Sequence, residues 1–161
     1  MLNVLVLCTG NSARSILGEA LLNREGAGRV RAWSAGSQPK GAPHPEALAL
    51  LERRGIDTGF ARSKSWDEFA ADGAPELDLV ITVCDNAAGE TCPYWPGGPV
   101  TVHWGIPDPA DASPEDARVA FEAAEKHLLD RIRPMLSLPL EDLSPEEIRD
   151  RMTEIHDEDG S

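Results

Sequence analysis

The sequence predicts a single doubly wound α/β domain, with a four-stranded parallel sheet and helices on both of its faces. Three observations lead there. Short apolar runs alternate with segments whose apolar residues recur at helical spacing, each run closes on glycine, proline or a polar loop, and 161 residues is about one domain of this kind. Strands joined through helices take right-handed crossovers and so lie parallel.

The elements follow in order. Leu2–Leu7 is an apolar run that stops at Cys8-Thr9-Gly10-Asn11-Ser12, and Ile16, Leu17, Ala20 and Leu21 then trace one face of a helix. Residues 30–35 form a second strand closed by Gly36, and a loop rich in proline and glycine (38–45) leads to a helix over 46–54 that ends at Gly55. Residues 67–71 suit a short helix. Residues 77–83, LDLVITV, are the most β-branched segment and read as a buried strand, with 100–104 as a fourth. Ser113 as N-cap and Pro114 at the first helical position open a long amphipathic helix to Pro134 or slightly beyond, through Val119, Phe121, Leu128, Leu129 and Ile132. Ser144-Pro145-Glu146-Glu147 has the form of a capping box for a further helix reaching Ile155, and 157–161 reads as a loose acidic tail. The division expected is a domain over 1–140 and an acidic C-terminal extension over 141–161, partly helical or disordered.

Bulk properties narrow the function. No apolar run reaches the 18 or more residues of a membrane span, and the N-terminus lacks a basic region and a cleavage site, so a cytoplasmic protein is expected. Its three cysteines then sit in a reducing compartment, where thiols serve chemistry more often than stapling. A formal charge of −13 disfavours nucleic acid as a partner and requires that any small anion be captured by a local positive site. Much of the acidic charge follows Ser113, which places that site in the N-terminal half.

The segment Cys8-Thr9-Gly10-Asn11-Ser12-Ala13-Arg14-Ser15 joins the first strand to the first helix. There successive backbone N–H groups, from Thr9 through Ala13 to Arg14, can turn inward, and the helix N-terminus adds partial positive charge. Such a loop holds a tetrahedral oxyanion. Five residues separate Cys8 from Arg14, so the chain can wrap once around the anion while the guanidinium fork matches two of its oxygens. Gly10 permits close backbone approach, and Asn11 and Ser12 brace the loop. Cys8, at the rim of this cradle, has its thiolate stabilised, and the Ser15 hydroxyl can donate to the sulfur. The plainer alternative is a core cysteine ending a buried strand. The ordered conjunction of cysteine, glycine, arginine and serine at a strand-to-helix junction favours the nucleophile.

A C-x5-R-S loop directly after the first strand resembles the low-molecular-weight protein tyrosine phosphatase superfamily, and within it the thiol-relay arsenate reductases. The likeness continues through Ser34-Ala35-Gly36, Gly55-Ile56-Asp57, Ser63-Lys64-Ser65, Val83-Cys84-Asp85 and His103-Trp104-Gly105 to Asp108-Pro109, covering about residues 1–135. It implies a low-molecular-weight phosphatase-like fold and reduction of arsenate to arsenite in arsenic detoxification.

In a parallel sheet Cys84, after the third strand, lies on the same edge as Cys8, and Cys92 follows eight positions later beyond a glycine-containing polar stretch. The resemblance implies that Cys8 attacks arsenate, Cys84 attacks Cys8, and Cys92 attacks Cys84, leaving a disulfide open to an external thiol. Inert packing and zinc, with His103 as a third ligand, are the alternatives for this pair. No C-x2-C spacing supports zinc, so no metal and no bound cofactor are expected. Ala13 stands where some arsenate reductases carry another cysteine, and the Cys84–Cys92 interval is longer than in the best-known thioredoxin-coupled type. The latter leaves the reductant open between thioredoxin and glutaredoxin with glutathione.

Asp108, between Pro107 and Pro109, is either a turn aspartate or a positioned acid, and the resemblance makes it the general acid. Related tyrosine phosphatases carry a tyrosine after this Asp-Pro, where this chain has Ala110, which argues against an aromatic substrate. Tyr94 and Trp95 read as packing or a docking surface for the reductant, and His44 and His103 as structural. A monomer is expected. Two further readings stand beside the reductase: a phosphatase on the same fold, and a non-catalytic regulator that senses oxyanions or redox state.

Overall fold

The computed structural model describes residues 1–83 and 99–160, and among these the chain forms four strands and four α-helices. Strands β1 (Leu2–Leu7), β2 (Val30–Ala35), β3 (Leu79–Thr82) and β4 (Val100–His103) make one all-parallel sheet in the order β2-β1-β3-β4. The sequence places all four to within two residues. The central strands β1 and β3 are apolar on both faces because both faces are covered: Val4–Leu7 and Leu79–Ile81 are at most 1% exposed, whereas the edge strands β2 and β4 expose Arg31 and Thr101.

Helices α1 (Arg14–Glu25) and α3 (Ala117–Leu136) cover the face that carries Val6 and Ile81, where Gly18 and Leu22 meet Leu128 and Ile132. Burial of every residue from Ser15 to Leu22 follows from α1 lying between the sheet and its helical neighbours. Helix α2 (Pro45–Arg53) leans on α3 through the Arg54–Glu125 ion pair at 2.8 Å. On the opposite face Phe69, in the 3-10 turn Trp66–Phe69, meets Trp33 edge-on at 6.3 Å. This turn stands where the sequence suggests a short helix.

Two boundaries differ from expectation. Helix α3 begins at Ala117 instead of Pro114, because the Ser113 hydroxyl donates to the Asp116 carboxylate and closes a turn there, leaving Asp116 at the N-cap. Helix α4 (Pro145–Gly160) does open with a reciprocal capping box, Glu147 N–H to Ser144 Oγ and Ser144 N–H to Glu147 Oε1, both 3.2 Å. It runs to Gly160, so residues 157–160 continue the helix where the sequence reads as a loose acidic tail; Ile148, Met152 and Ile155 pack it on the core, and the Met152 carbonyl accepts from Trp104 Nε1 at 2.9 Å. Among the described residues no helix is long and apolar enough to cross a membrane.

The strand order fixes where chemistry can occur. After β1 the chain crosses to β2 on one side, and all later strands lie on the other, so a crevice opens at the C-terminal ends of β1 and β3. The loop of residues 8–13 fills that position.

Candidate active site

The loop is held from outside by its carbonyls. Thr9 O accepts from Gln38 N–H at 3.0 Å, Gly10 O from Lys40 N–H at 2.9 Å and Ser63 Oγ at 3.2 Å, and Ser12 O from His44 N–H at 2.8 Å. Every described peptide bond is trans, so each outward carbonyl turns the next N–H the other way. The amides of Gly10, Asn11 and Ala13 therefore point away from the partners of those carbonyls. Helix α1 starts directly behind, and Ala13 at its N-cap offers no side-chain acceptor to the first-turn amides. The result is a concentration of oriented donors at one point.

Asn11 makes this conformation possible. It sits at φ 43°, in the left-handed region that asparagine tolerates better than most residues. Its Nδ2 donates to Ser15 Oγ at 2.8 Å and Ser34 Oγ at 3.0 Å, while Oδ1 accepts from Lys64 N–H at 2.9 Å. Ser34 passes its hydroxyl proton toward Glu19 Oε1 at 2.5 Å, and Lys64 Nζ lies 3.7 Å from the same carboxylate. Glu19 and Lys64 are each 6% exposed. Burial pushes the Glu19 carboxyl up, opposed by Ser34 and by the lysine, and pushes the Lys64 ammonium down, opposed mainly by Glu19. Beneath the loop Gly36 leaves no room for a side chain, since a Cβ there would stand 2.4 Å from Thr9 O and 2.6 Å from Cys8 O.

This network was not found from the sequence, although Ser34, Gly36 and Lys64 belong to the turns that carry the resemblance. It yields a measurable expectation. Lys64→Met leaves a carboxyl buried without its cation and should lower unfolding free energy by about 2 kcal/mol, below the usual cost of a broken buried pair because Glu19 can take up a proton. Urea unfolding checks this, and adding Glu19→Gln should restore most of the loss. A lone Lys64→Met as stable as the parent would refute the role given to the pair.

The loop opens into a cleft of about 330 Å³ lined by Cys8, Thr9, Gly10, Ser12, Ala13, Arg14, Gln38, Lys40 and Asp108. Cys8, 6% exposed, lies at its floor at the end of β1. Arg14 Nη1 donates to Ile106 O at 2.9 Å and Nη2 lies 3.4 Å from Asp108 Oδ2, while the buried Nε has no hydrogen-bond partner. A buried guanidinium N–H left unmatched is costly and suits an oxyanion oxygen. Asp108 is half-buried, and its Oδ1 accepts from Ala110 N–H at 3.0 Å. It thus caps its own turn and also lines the cleft. The segment leading to it is fixed by Arg131, 3% exposed, which donates to Trp104 O at 2.9 Å and Gly105 O at 3.1 Å.

The structure brings Cys8, Thr9, Gly10, Ser12, Ala13, Arg14 and Asp108 together around one cleft and places Asn11 and Ser15 immediately behind it. Gln38 and Lys40 join the wall without having been foreseen. Cys84, Cys92, Tyr94 and Trp95 lie outside the described residues. Strand β3 ends beside the loop: Leu7 pairs with Thr82, and Val83 N–H donates to Leu7 O at 2.9 Å, so the residue to which Cys84 is bonded is held against the root of the Cys8 loop. His44 caps α2 by accepting from Glu46 N–H at 3.1 Å, and the His103 ring shares a 2.8 Å hydrogen bond with Thr82 Oγ1. No group of three or more potential metal ligands occurs among the described residues.

The sequence pattern of low molecular weight phosphotyrosine protein phosphatases matches residues 3–146. An arsenate reductase of Halalkalibacterium halodurans is 36% identical over 110 residues, 68% of this chain and 76% of that protein. Among solved structures, an arsenate reductase in the phosphate-binding state superposes with a TM-score of 0.63 at 28% identity, over 83% of this chain and 98% of the other. A thioredoxin-dependent arsenate reductase of Corynebacterium glutamicum superposes with a TM-score of 0.58 at 27% identity, over 86% of this chain and 64% of that one.

Proposed function

The chain belongs to the low molecular weight phosphotyrosine protein phosphatase family, and from that footing we propose that it reduces arsenate to arsenite through a thiol relay. The observation that carries the proposal is one cleft that presents a cysteine, a fixed guanidinium and a carboxyl to the same small volume. The relatives named as arsenate reductases supply the substrate.

The loop amides and the Arg14 fork bind the oxyanion and neutralise its charge. The same donors favour the thiolate of Cys8, which attacks arsenic. Ser15 accepts from Asn11, leaving its own hydroxyl proton to be donated to the sulfur. Asp108 protonates the departing oxygen, which leaves as water. Cys84 then attacks the Cys8 sulfur of the arsenic adduct. The electron pair of the S–As bond stays on arsenic, which leaves as arsenite, and the two thiols are oxidised to a disulfide. Cys92 exchanges into that disulfide and passes it to an external thiol, thioredoxin or glutaredoxin with glutathione. The thioredoxin-dependent relative favours the former. The chain binds no cofactor in this scheme and works in the reducing cytoplasm.

Phosphate monoesters satisfy the same binding and acid groups, so a phosphatase is the competing activity. Against it, Ala110 follows Asp108-Pro109 where related tyrosine phosphatases carry a tyrosine, and Gln38 and Lys40 give the described cleft wall a polar character. The deciding experiment follows arsenate-dependent NADPH oxidation with each recycling system, with p-nitrophenyl phosphate hydrolysis beside it, for the natural chain and Asp108→Asn. Turnover with one system, falling about 10²-fold in Asp108→Asn, is the expected result and names the reductant. Ester hydrolysis without arsenate turnover under either system would make the protein a phosphatase.

A further inference from the structure

We propose that Lys40 is a second cation of the oxyanion cleft, one that selects the doubly charged form of the anion, and that residue 10 is glycine so that the lysine stem can cross the loop. This rests on the cleft binding an oxyanion, as above, but assigns a residue which that scheme does not use.

Lys40 is tied to the loop by its own backbone. Its N–H donates to Gly10 O at 2.9 Å and that of Gln38 to Thr9 O at 3.0 Å, so this stretch of chain moves with the loop. The side chain then lies over Gly10: a Cβ added there would stand 3.0 Å from Lys40 Cε, 3.2 Å from Cγ and 3.3 Å from Cδ. Gly10 is absent from the described glycines with positive φ, so its backbone alone does not demand glycine. What it provides is room for the stem, which a side chain at residue 10 would push aside by a few tenths of an ångström.

The charges around the cleft give this placement a purpose. Arg14 faces the Asp108 carboxylate at 3.4 Å, so part of its positive charge is already matched before any anion enters. Lys40 lines the same cleft and forms no ion pair with a described residue, so its charge remains available to a ligand. The rest of the molecule repels anions, at −13 overall, so a cation at the mouth also draws them in. An ammonium on a flexible stem is a point charge that follows its ligand, whereas the pinned guanidinium of Arg14 sets geometry. Arsenate and phosphate both exchange between singly and doubly charged forms near neutral pH. The lysine favours the dianion.

The test reads binding without turnover. Inorganic phosphate is titrated as a protectant of Cys8 against iodoacetamide, with alkylation followed on the Cys8 peptide by mass spectrometry. The chains compared are the natural one, Lys40→Met, Lys40→Arg, Gly10→Ala and the double variant Gly10→Ala/Lys40→Met. Lys40→Met should weaken protection about tenfold at low ionic strength and flatten its salt dependence, while Lys40→Arg keeps most of it. Gly10→Ala displaces the stem and should weaken protection about threefold alone, yet have little effect once Lys40 is methionine. Protection by Lys40→Met within about twofold of the natural chain would overturn the proposal. Equal losses from Gly10→Ala in both backgrounds would remove the role given to Gly10. Absence of arsenate turnover with the Lys40 effect intact would count against the reductase and leave this inference standing, whereas no protection of the natural chain would end both.

Discussion

Cys8→Ser should lower arsenate turnover by roughly 10⁴-fold or more, the scale on which enzymes lose rate when a covalent nucleophile is removed. Ester hydrolysis should fall with it, because both reactions would begin at the same sulfur. The variant keeps its fold, since serine is close in size to cysteine and Cys8 sits at the end of β1, where its backbone N–H donates to Ala35 O at 3.3 Å. It also keeps its anion site, because the carbonyls of Thr9, Gly10 and Ser12 remain fixed by Gln38, Lys40, Ser63 and His44. Removing a thiolate next to a bound dianion takes away a repulsion, so calorimetry should find inorganic phosphate bound as tightly as before or more tightly. Residual turnover above about one hundredth of the parent rate would place the nucleophile elsewhere.

The parts legible in the sequence are those with a local period or a dense local motif. The central strands declared themselves as short apolar runs because they are buried on both faces, the edge strands by their β-branched and apolar residues between turn signals, and Cys8 through Ser15 are contiguous in the chain. Even the Ser144 capping box needs only four residues. The Asn11–Ser34–Glu19–Lys64 cluster is different, because its members come from the loop, β2, α1 and the segment before the Trp66–Phe69 turn, and only the parallel register brings them together. One signal for it existed. Glu19 is a carboxylate inside the apolar stretch of α1 between Leu17 and Ala20, and a charge there implies a buried partner. Gln38 and Lys40 gave none, since a polar loop residue looks alike whether it faces solvent or an active site. The start of α3 was misplaced for a related reason: Ser113 can cap a helix or close a turn with Asp116, and the two are indistinguishable in sequence.

Cys84→Ser should separate the two chemistries that Cys8→Ser removes together. In the proposed scheme the Cys8–arsenic adduct forms without a second thiol, through Cys8, Asp108 and the oxyanion-binding donors of the loop and Arg14, and the same groups would suffice to hydrolyse an ester. Reduction requires two electrons more, and the proposed source is a second thiolate attacking the Cys8 sulfur so that the S–As electron pair remains on arsenic. The register supports Cys84 in that part, because Val83 is hydrogen-bonded to Leu7 on one side and accepts from Ile106 N–H at 3.2 Å on the other, between the root of the Cys8 loop and the segment that ends at Asp108. In Cys84→Ser, arsenate-dependent NADPH oxidation should drop to background, by about 10³-fold, while p-nitrophenyl phosphate hydrolysis stays within about twofold of the parent. Cys92→Ser is the companion variant. If the relay ends at thioredoxin it should lose turnover as well, but if a small thiol such as glutathione resolves the first disulfide directly, turnover with that thiol survives. Loss of both activities in Cys84→Ser would mean that this residue supports the loop structurally, and unimpaired NADPH oxidation would mean that the electrons come from another thiol.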